Sequence, residues 1–542
     1  MNPIEKNTLQ ETILPIAFIR NCYKQRRKVK VMDSLGTELT GGLLLVACLT
    51  FRKVLRREIF GNSDEEKNVG ILLPPSGGAV IANATLSIDS RVPVNLNYTL
   101  SLETINHCLR AASIKHILTT KKILERLPYN AEDLEAKVVL MEEMRDKSTK
   151  FDKLTSLAAT YLNSPDKLAA KLKLDKLSMD DLCTIIFTSG STGVPKGVML
   201  TYLNIGSNIG AFFNHIRIYE DDVFLGVLPF FHSFGYTTTL WTTLVMPLST
   251  AYHITPLEPR QIGKLAEKYG ATVLIATPTF LRSYCRRISK EQFAKMDIIV
   301  AGAEKLPLEL VKAYEDKFDV QTIEGYGATE LSPVVCSNVP VKRDPRPNPL
   351  GIKEGTIGLP MPGIEVRIID LDTGEVLPKN TQGMLQVRGP SVMKGYLGLP
   401  EETAKVIDPE GWYTTNDVAI IDEDGCIKIT GRLSRFSKIG GEMVPHLIIE
   451  ETLQEILDIG DAETMQVAIA SRPHETKGEE IIVLYNNELE IDPSELTEKL
   501  KEAGLPAIWC PSPSNYFPVE EIPCLATGKL DLAAVKQMAQ EI

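Results

Sequence analysis

Short apolar runs alternate with helical stretches through most of this chain. Residues 68–73, 92–96, 117–119, 273–276, 298–301 and 321–324 read as strands, and 102–112, 260–269 and 308–318 carry helical spacing. That alternation confines the fold strongly. A strand followed by a helix returns to the next strand in parallel, and a parallel sheet needs helices over both faces. After Gly355 the texture changes. Residues 365–370, 384–388, 418–422 and 426–430 are short strands, and Asp424-Gly425 is a hairpin signal, so an antiparallel barrel or sheet is expected. The last stretch mixes helices at 448–457 and 493–503 with strands at 465–470 and 480–485, a compact α+β pattern.

A chain of 542 residues exceeds one compact core, and 44% hydrophobic with 24% charged residues is an ordinary globular composition. The net charge of −11 is unevenly placed: from Arg432 onward there are 9 Lys and Arg against 20 Asp and Glu. This argues against nucleic acid as a partner, which requires clustered cations. The nine Cys are scattered without CxxC or metal spacing, and the first twenty residues show no signal-peptide pattern. Both point to a reducing cytoplasm. Residues 223–257 carry no Asp, Glu, Lys or Arg. Their three prolines and run of hydroxyls argue against a transmembrane helix and for a buried hairpin of elements beside a ligand tunnel. Nothing anchors the chain in a bilayer, and peripheral contact with the inner membrane stays open.

The chemistry centres on residues 188–197: Thr188, Ser189, Gly190, Ser191, Thr192, Gly193, Val194, Pro195, Lys196 and Gly197. They follow an apolar strand at 182–187. Glycines allow tight backbone approach to a phosphate, hydroxyls add donors and Lys196 adds a cation, so the loop suits a polyphosphate. The spacing is not GxxxxGK[ST].

The loop resembles the phosphate-binding signature of the acyl-adenylate-forming superfamily. Gly325-Tyr326-Gly327-Ala328-Thr329-Glu330, Tyr413-Thr414-Thr415-Asn416-Asp417, Gly431-Arg432 and Thr527-Gly528-Lys529 follow in that superfamily's order. The resemblance implies an α/β fold with a large N-terminal domain over 1–431, made of two helix-covered mixed sheets and a small β-barrel-like subdomain. A small mobile α+β domain over 432–542 follows and carries the catalytic lysine. It implies an ATP- and Mg2+-dependent ligase that converts a carboxylic acid to acyl-AMP and then to a thioester. Glu330 would hold Mg2+, Lys196 and the 188–193 loop the phosphates, and Lys529 the reacting carboxylate and α-phosphate. Gly302, Ala303, Glu304, Glu324, Gly325, Tyr326, Gly327 and Thr329 would frame the nucleotide. Asp417 would accept the ribose hydroxyls, and Arg432, at the entry to the inter-domain hinge, would join the nucleotide site. His232, within Pro229-Phe230-Phe231-His232-Ser233-Phe234-Gly235, matches a gate near the acyl carboxylate.

Two positions depart from the pattern: Asn416 stands where Gly is usual, and Ser434 where the hinge is usually Asp or Lys. Asn is among the residues most tolerant of left-handed backbone, so the turn is expected to survive. Residues 431–444 and Leu96-Asn97-Tyr98-Thr99 are similar to the synthetase half of the bacterial acyl-ACP synthetase/2-acylglycerophosphoethanolamine acyltransferase family. That likeness implies a long-chain fatty acid substrate and holo-acyl carrier protein as thiol acceptor. Ser434, Arg435 and Lys438 would lie on the acceptor side, although the acidic C-terminal part would repel an acidic carrier. Two alternatives stay open: a long- or medium-chain acyl-CoA synthetase, and a non-catalytic acyl- or nucleotide-binding protein. Intact Lys196, Glu330, Asp417 and Lys529 weigh against the second.

Overall fold

The computed structural model describes residues 12–542, apart from 62, 64, 189–193, 440–441, 460–464, 475–477 and 525–529; it also leaves out the side chains of 434, 438, 442, 443 and 533. The chain forms two compact units. One holds the residues up to Val366 together with Val387–Tyr413; the other holds Arg367–Gln386 and Thr414–Ile542.

The first unit is built on three sheets. The largest has nine strands in the order 359–360, 334–337, 321–327, 298–301, 273–276, 223–226, 249–252, 29–33 and 38–40. Its middle strands are parallel, and antiparallel strands finish both edges. All four residues of Val273–Ala276 and of Ile298–Ala301 are buried. A strand covered on both faces must be apolar throughout, which is why these runs do not alternate. Strand Val273–Ala276 runs straight into Thr277, which caps helix Pro278–Arg287 with proline at its first position.

The second sheet, ordered Val92–Asn95, Asn68–Ile71, His116–Thr119 and Lys137–Leu140, is parallel at every pairing. The expectation of two mixed sheets therefore holds for the larger one only. Helix Leu102–Ala111 covers it with Ile105, Cys108 and Leu109, which pack with Val94 and Ile117. In the third sheet Leu182–Thr188 pairs antiparallel with Lys196–Thr201, and Gly395–Tyr396 adds to the outer edge of the latter.

The uncharged stretch is not a hairpin. Strands Val223–Gly226 and Ser249–Tyr252 are parallel neighbours, and the chain between them is helical over most of 233–245. Parallel pairing requires such a crossover. Thr239, Thr242 and Thr243 fit this buried helix because their hydroxyls donate to carbonyls of its own preceding turn.

In the second unit, strands Phe436–Ile439, Glu442–Pro445, Val467–His474, Gly478–Asn486 and Tyr516–Val519 form one sheet. Alternation divides its two faces. Val467, Ile469, Ile481 and Val483 pack with Leu453 and Leu500 of two helices, whereas Ala468, Ala470, Ile482 and Leu484 pack with Val535 and Ala539 of helix Leu532–Glu541. Among the described residues no helix is long and apolar enough to cross a membrane.

Candidate active site

Three of the sequence segments meet at the carboxyl ends of the large sheet, the edge where open α/β sheets bind ligands. Gly302–Glu304 continues strand Ile298–Ala301, and Glu324–Gly327 ends the next strand, in register with Ala301 opposite Glu324. His232 lies six residues beyond strand Val223–Gly226. The contacts between them are close. A Cβ on Gly302 would sit 3.0 Å from the Phe234 ring and 3.3 Å from the Gly325 carbonyl oxygen, so the backbone approach there depends on glycine. Ser233 Oγ lies 3.1 Å from Thr329 Oγ1, which ties the exposed His232 to the segment carrying Glu330. Glu304 accepts from the amide and hydroxyl of Thr279 at 3.1 and 2.7 Å, and Glu324 accepts from the Leu306 amide at 3.3 Å.

The turn that presents Glu330 is held from beneath. A Cβ on Gly327 would be 1.9 Å from the Pro333 carbonyl oxygen, so only glycine fits. Buried Asn208 donates to the Val334 carbonyl at 2.7 Å and to that of Leu331 at 3.3 Å. One turn earlier on the same helix, Asn204 completes a capping box with Thr201 and donates to the carbonyls of Pro390 and Val392, both at 2.8 Å. The Met393 amide in turn donates to the Glu330 carbonyl at 2.7 Å. One helix thus fixes both the Glu330 turn and the strand that follows it in space.

That strand carries a residue the sequence reading missed. Tyr396 donates from its hydroxyl to Glu330 Oε1 at 2.9 Å, and the Lys196 ammonium lies 5.3 Å from the centre of its ring. Lys196 is also ion-paired with Glu402 at 2.7 Å. The Lys196 pair, then Lys405, hold the Glu402 carboxyl down to about 2. Burial, then the neighbouring Glu330 charge, push the Tyr396 phenol up, so it stays a donor. A single aromatic side chain therefore links the phosphate-loop lysine to the metal-segment carboxylate. Lys196 and Glu402 are 206 residues apart, so no local spacing announces them. Ser189–Gly193 lie outside the described residues, although the strands flanking them bring Thr188 opposite Lys196.

The remaining candidates belong to the second unit. Asp417 is buried and lies opposite Arg432 across a hairpin that turns at Asp424-Gly425; its Oδ1 accepts from Arg432 Nε at 2.8 Å. Asn416 takes φ +60°, the left-handed conformation that the usual glycine would supply. Arg435 is not a surface cation. It is largely buried and ion-paired with the buried Glu450. Lys529 lies outside the described residues, as do the side chains of Ser434 and Lys438.

Among the described residues no group of three His, Cys, Asp or Glu gathers as a metal cage. A single carboxylate such as Glu330 fits Mg2+ instead, since that ion keeps waters and shares its shell with substrate phosphates.

The AMP-binding enzyme family model matches residues 18–397, and the chain belongs to that family. It is 31% identical over 362 residues to 4-coumarate–CoA ligase of Pinus taeda, covering 66% of this chain and 65% of that one. It is 27% identical to 4-coumarate:CoA ligase 1 of Petunia hybrida, covering 89% and 86%. The chain thus spans just under two thirds of the pine enzyme's length and more of the Petunia one. Among solved structures, ATP-bound MatB from Rhodopseudomonas palustris superposes with a TM-score of 0.78 at 23% identity over 97% of this chain and 99% of that one. The o-succinylbenzoate CoA synthetase of Bacillus subtilis, in complex with its acyl-adenylate intermediate, gives 0.79 at 20% over 96% and 98%. These two likenesses establish the large α/β N-terminal part and smaller C-terminal part of the fold.

Proposed function

We propose that this protein is an ATP-dependent, AMP-forming ligase that joins a hydrophobic carboxylic acid to the thiol of coenzyme A. The reading is carried by the Lys196–Tyr396–Glu330 arrangement at the carboxyl edge of the sheet. Attack of a carboxylate on a polyphosphate brings anions together, so charge neutralisation is the main task. Lys196, set over the Tyr396 ring and paired with Glu402, is placed to take the leaving phosphates. Glu330 would hold Mg2+, which when bound neutralises phosphate charge. Asp417 accepts the ribose hydroxyls, and Lys529 stabilises the charge that develops on the α-phosphate. His232 stands at the acyl entrance, and the buried 223–252 crossover suits an apolar acid such as a long-chain fatty acid.

Coenzyme A is favoured over acyl carrier protein for two reasons. The curated relatives are CoA ligases. The basic patch needed for an acidic carrier also loses Arg435, whose charge is committed to Glu450 inside its own unit. We place the domain boundary at 431/432 with a pivot at Arg432–Ser434.

The test is a thiol-acceptor competition. Purified protein receives ATP, Mg2+ and labelled palmitate or 4-coumarate, then coenzyme A or holo-acyl carrier protein, with Lys529→Ala as control. Acyl-CoA as the main product supports the proposal, and acyl-carrier thioester as the main product restores the carrier reading. Failure of either acid to form an adenylate sinks the catalytic assignment.

A further inference from the structure

One helix in the first unit is inside out. Lys150–Leu162 begins with a full capping box on Thr149, so it is a well-formed helix. Its buried residues are Asp152, Ser156 and Thr160, the polar stripe, packed toward helix Gly41–Leu55. Asp152 is held there by Arg57 at 3.0 Å, and Thr155 by Lys53 at 2.6 Å. The opposite face is apolar and open: Phe151 is 73% exposed, Leu154 63%, Leu157 43%, Tyr161 42% and Leu162 83%. At about 100° per residue these five fall within one arc of roughly 140°, away from the buried stripe. Helices of a water-soluble surface place these two faces the other way round. Such a concentration of bulky apolar side chains marks a surface that another phase covers.

The charge around it identifies that phase. The far end of the helix meets the loop after the first helix: a Cβ on Gly42 would lie 2.5 Å from the Tyr161 hydroxyl and 2.9 Å from the Arg26 carbonyl oxygen. Residues 12–32 and 147–176 together hold thirteen Lys and Arg, all but the buried Lys30 reaching the surface, against three Asp, in a protein whose net charge is −11. Two of those Asp are already tied, Asp152 to Arg57 and Asp166 to Arg20. Lys153 flanks the apolar arc and Lys150 lies within it at the helix start; both are exposed, with stems long enough to bury while their ammonium groups stay wet. A basic rim around an exposed Phe/Leu/Tyr face is complementary to a bilayer surface carrying anionic headgroups.

We propose that helix Lys150–Leu162 seats this protein on anionic lipid surfaces, lying in the interface plane with Phe151, Leu154, Leu157 and Leu162 among the acyl chains. This stands independently of the reaction proposed above, because the face lies outside the candidate active site and the test reads no catalysis. The full chain is floated with vesicles of phosphatidylcholine alone and of phosphatidylcholine with phosphatidylglycerol, at low and high salt. Binding is expected only to the phosphatidylglycerol vesicles, with release by salt. Leu154→Gln with Leu157→Gln should weaken partitioning roughly tenfold or more. These sites are already open to water, so thermal melting should be unchanged. Lys150→Gln with Lys153→Gln should lower the salt concentration that releases the protein. No flotation with phosphatidylglycerol vesicles overturns the proposal, as does flotation that the leucine substitutions leave unchanged. Self-association abolished by those substitutions, without vesicle binding, would overturn it and assign the face to a second copy of the chain.

Discussion

At the scale of single residues, the site is organised around Tyr396. Its hydroxyl donates a hydrogen bond to Glu330 and its ring lies under Lys196. Tyr396→Phe keeps the ring and removes the donor, so the Lys196 contact survives and Glu330 loses a charge-assisted partner. A hydrogen bond to a charged group contributes about 1.5–3 kcal/mol, and half-buried geometry puts the effect at the lower end. We therefore expect the Mg2+ and ATP concentrations for half-maximal adenylate formation to rise about tenfold, with thermal stability nearly unchanged. Equal kinetics for Tyr396→Phe and wild type would show that the bond is idle. Gly327→Ala should behave differently. The new methyl meets the Pro333 carbonyl oxygen at 1.9 Å, a backbone atom that cannot swing away. Forcing the strands apart should cost about 3 kcal/mol, visible as a lowered melting transition of the first unit along with lost ATP binding.

At the scale of elements, agreement between sequence and structure follows burial. Residues 273–276 and 298–301 were legible as strands because both faces are covered and the apolar run has no interruption. The Asp424-Gly425 turn was legible because Gly425 needs φ +85°. The 223–257 crossover was not, since a buried helix and a buried strand are both apolar and periodicity cannot separate them. The inverted helix 150–162 shows helical spacing whichever face is inside. Tyr396, Glu402 and Asn208 act across more than sixty residues of sequence, where no pattern reaches.

Helix His446–Ile456 carries a prediction at this scale. His446 Nε2 lies 2.6 Å from Ser437 Oγ in a buried setting, and burial, then the Arg435 charge, push its pKa down to about 3. The folded imidazole is thus neutral while the unfolded one protonates near 6.5. Stability is complete above 6.5 and falls as pH drops from there toward 3, at about 1.4 kcal/mol per pH unit. From pH 6.5 to 5 the second unit should lose about 2 kcal/mol. Glu450, whose pKa burial raises against the pull of Arg435, acts with the opposite sign and remains in the variant. The difference between wild type and His446→Gln, followed by denaturant melts across that range, isolates the imidazole. Parallel pH profiles would rule the mechanism out.

At the scale of the whole molecule, the two half-reactions proposed above would make different demands on the C-terminal unit. On that proposal Lys529 would have to be at the α-phosphate in the first and out of the thiol's path in the second. A pivot at Arg432–Ser434 would let one chain segment serve both, through a few backbone dihedrals. Leu433–Arg435 forms a single 3₁₀ turn after the extended Arg432, and proline at its first position fixes φ near −65° without straining the residue before it. Leu433→Pro therefore admits the turn as it stands and obstructs its rearrangement. Pyrophosphate release in a single turnover should stay within a few-fold of wild type, while steady-state thioester formation falls by more than about tenfold, a barrier increase of about 1.4 kcal/mol or more. The two half-reactions must separate in this way for 432–434 to be the pivot. If both fell together, the substitution would have damaged the fold or the lysine's placement. If neither fell, rotation would occur elsewhere in the chain, and the boundary at 431/432 would have to move.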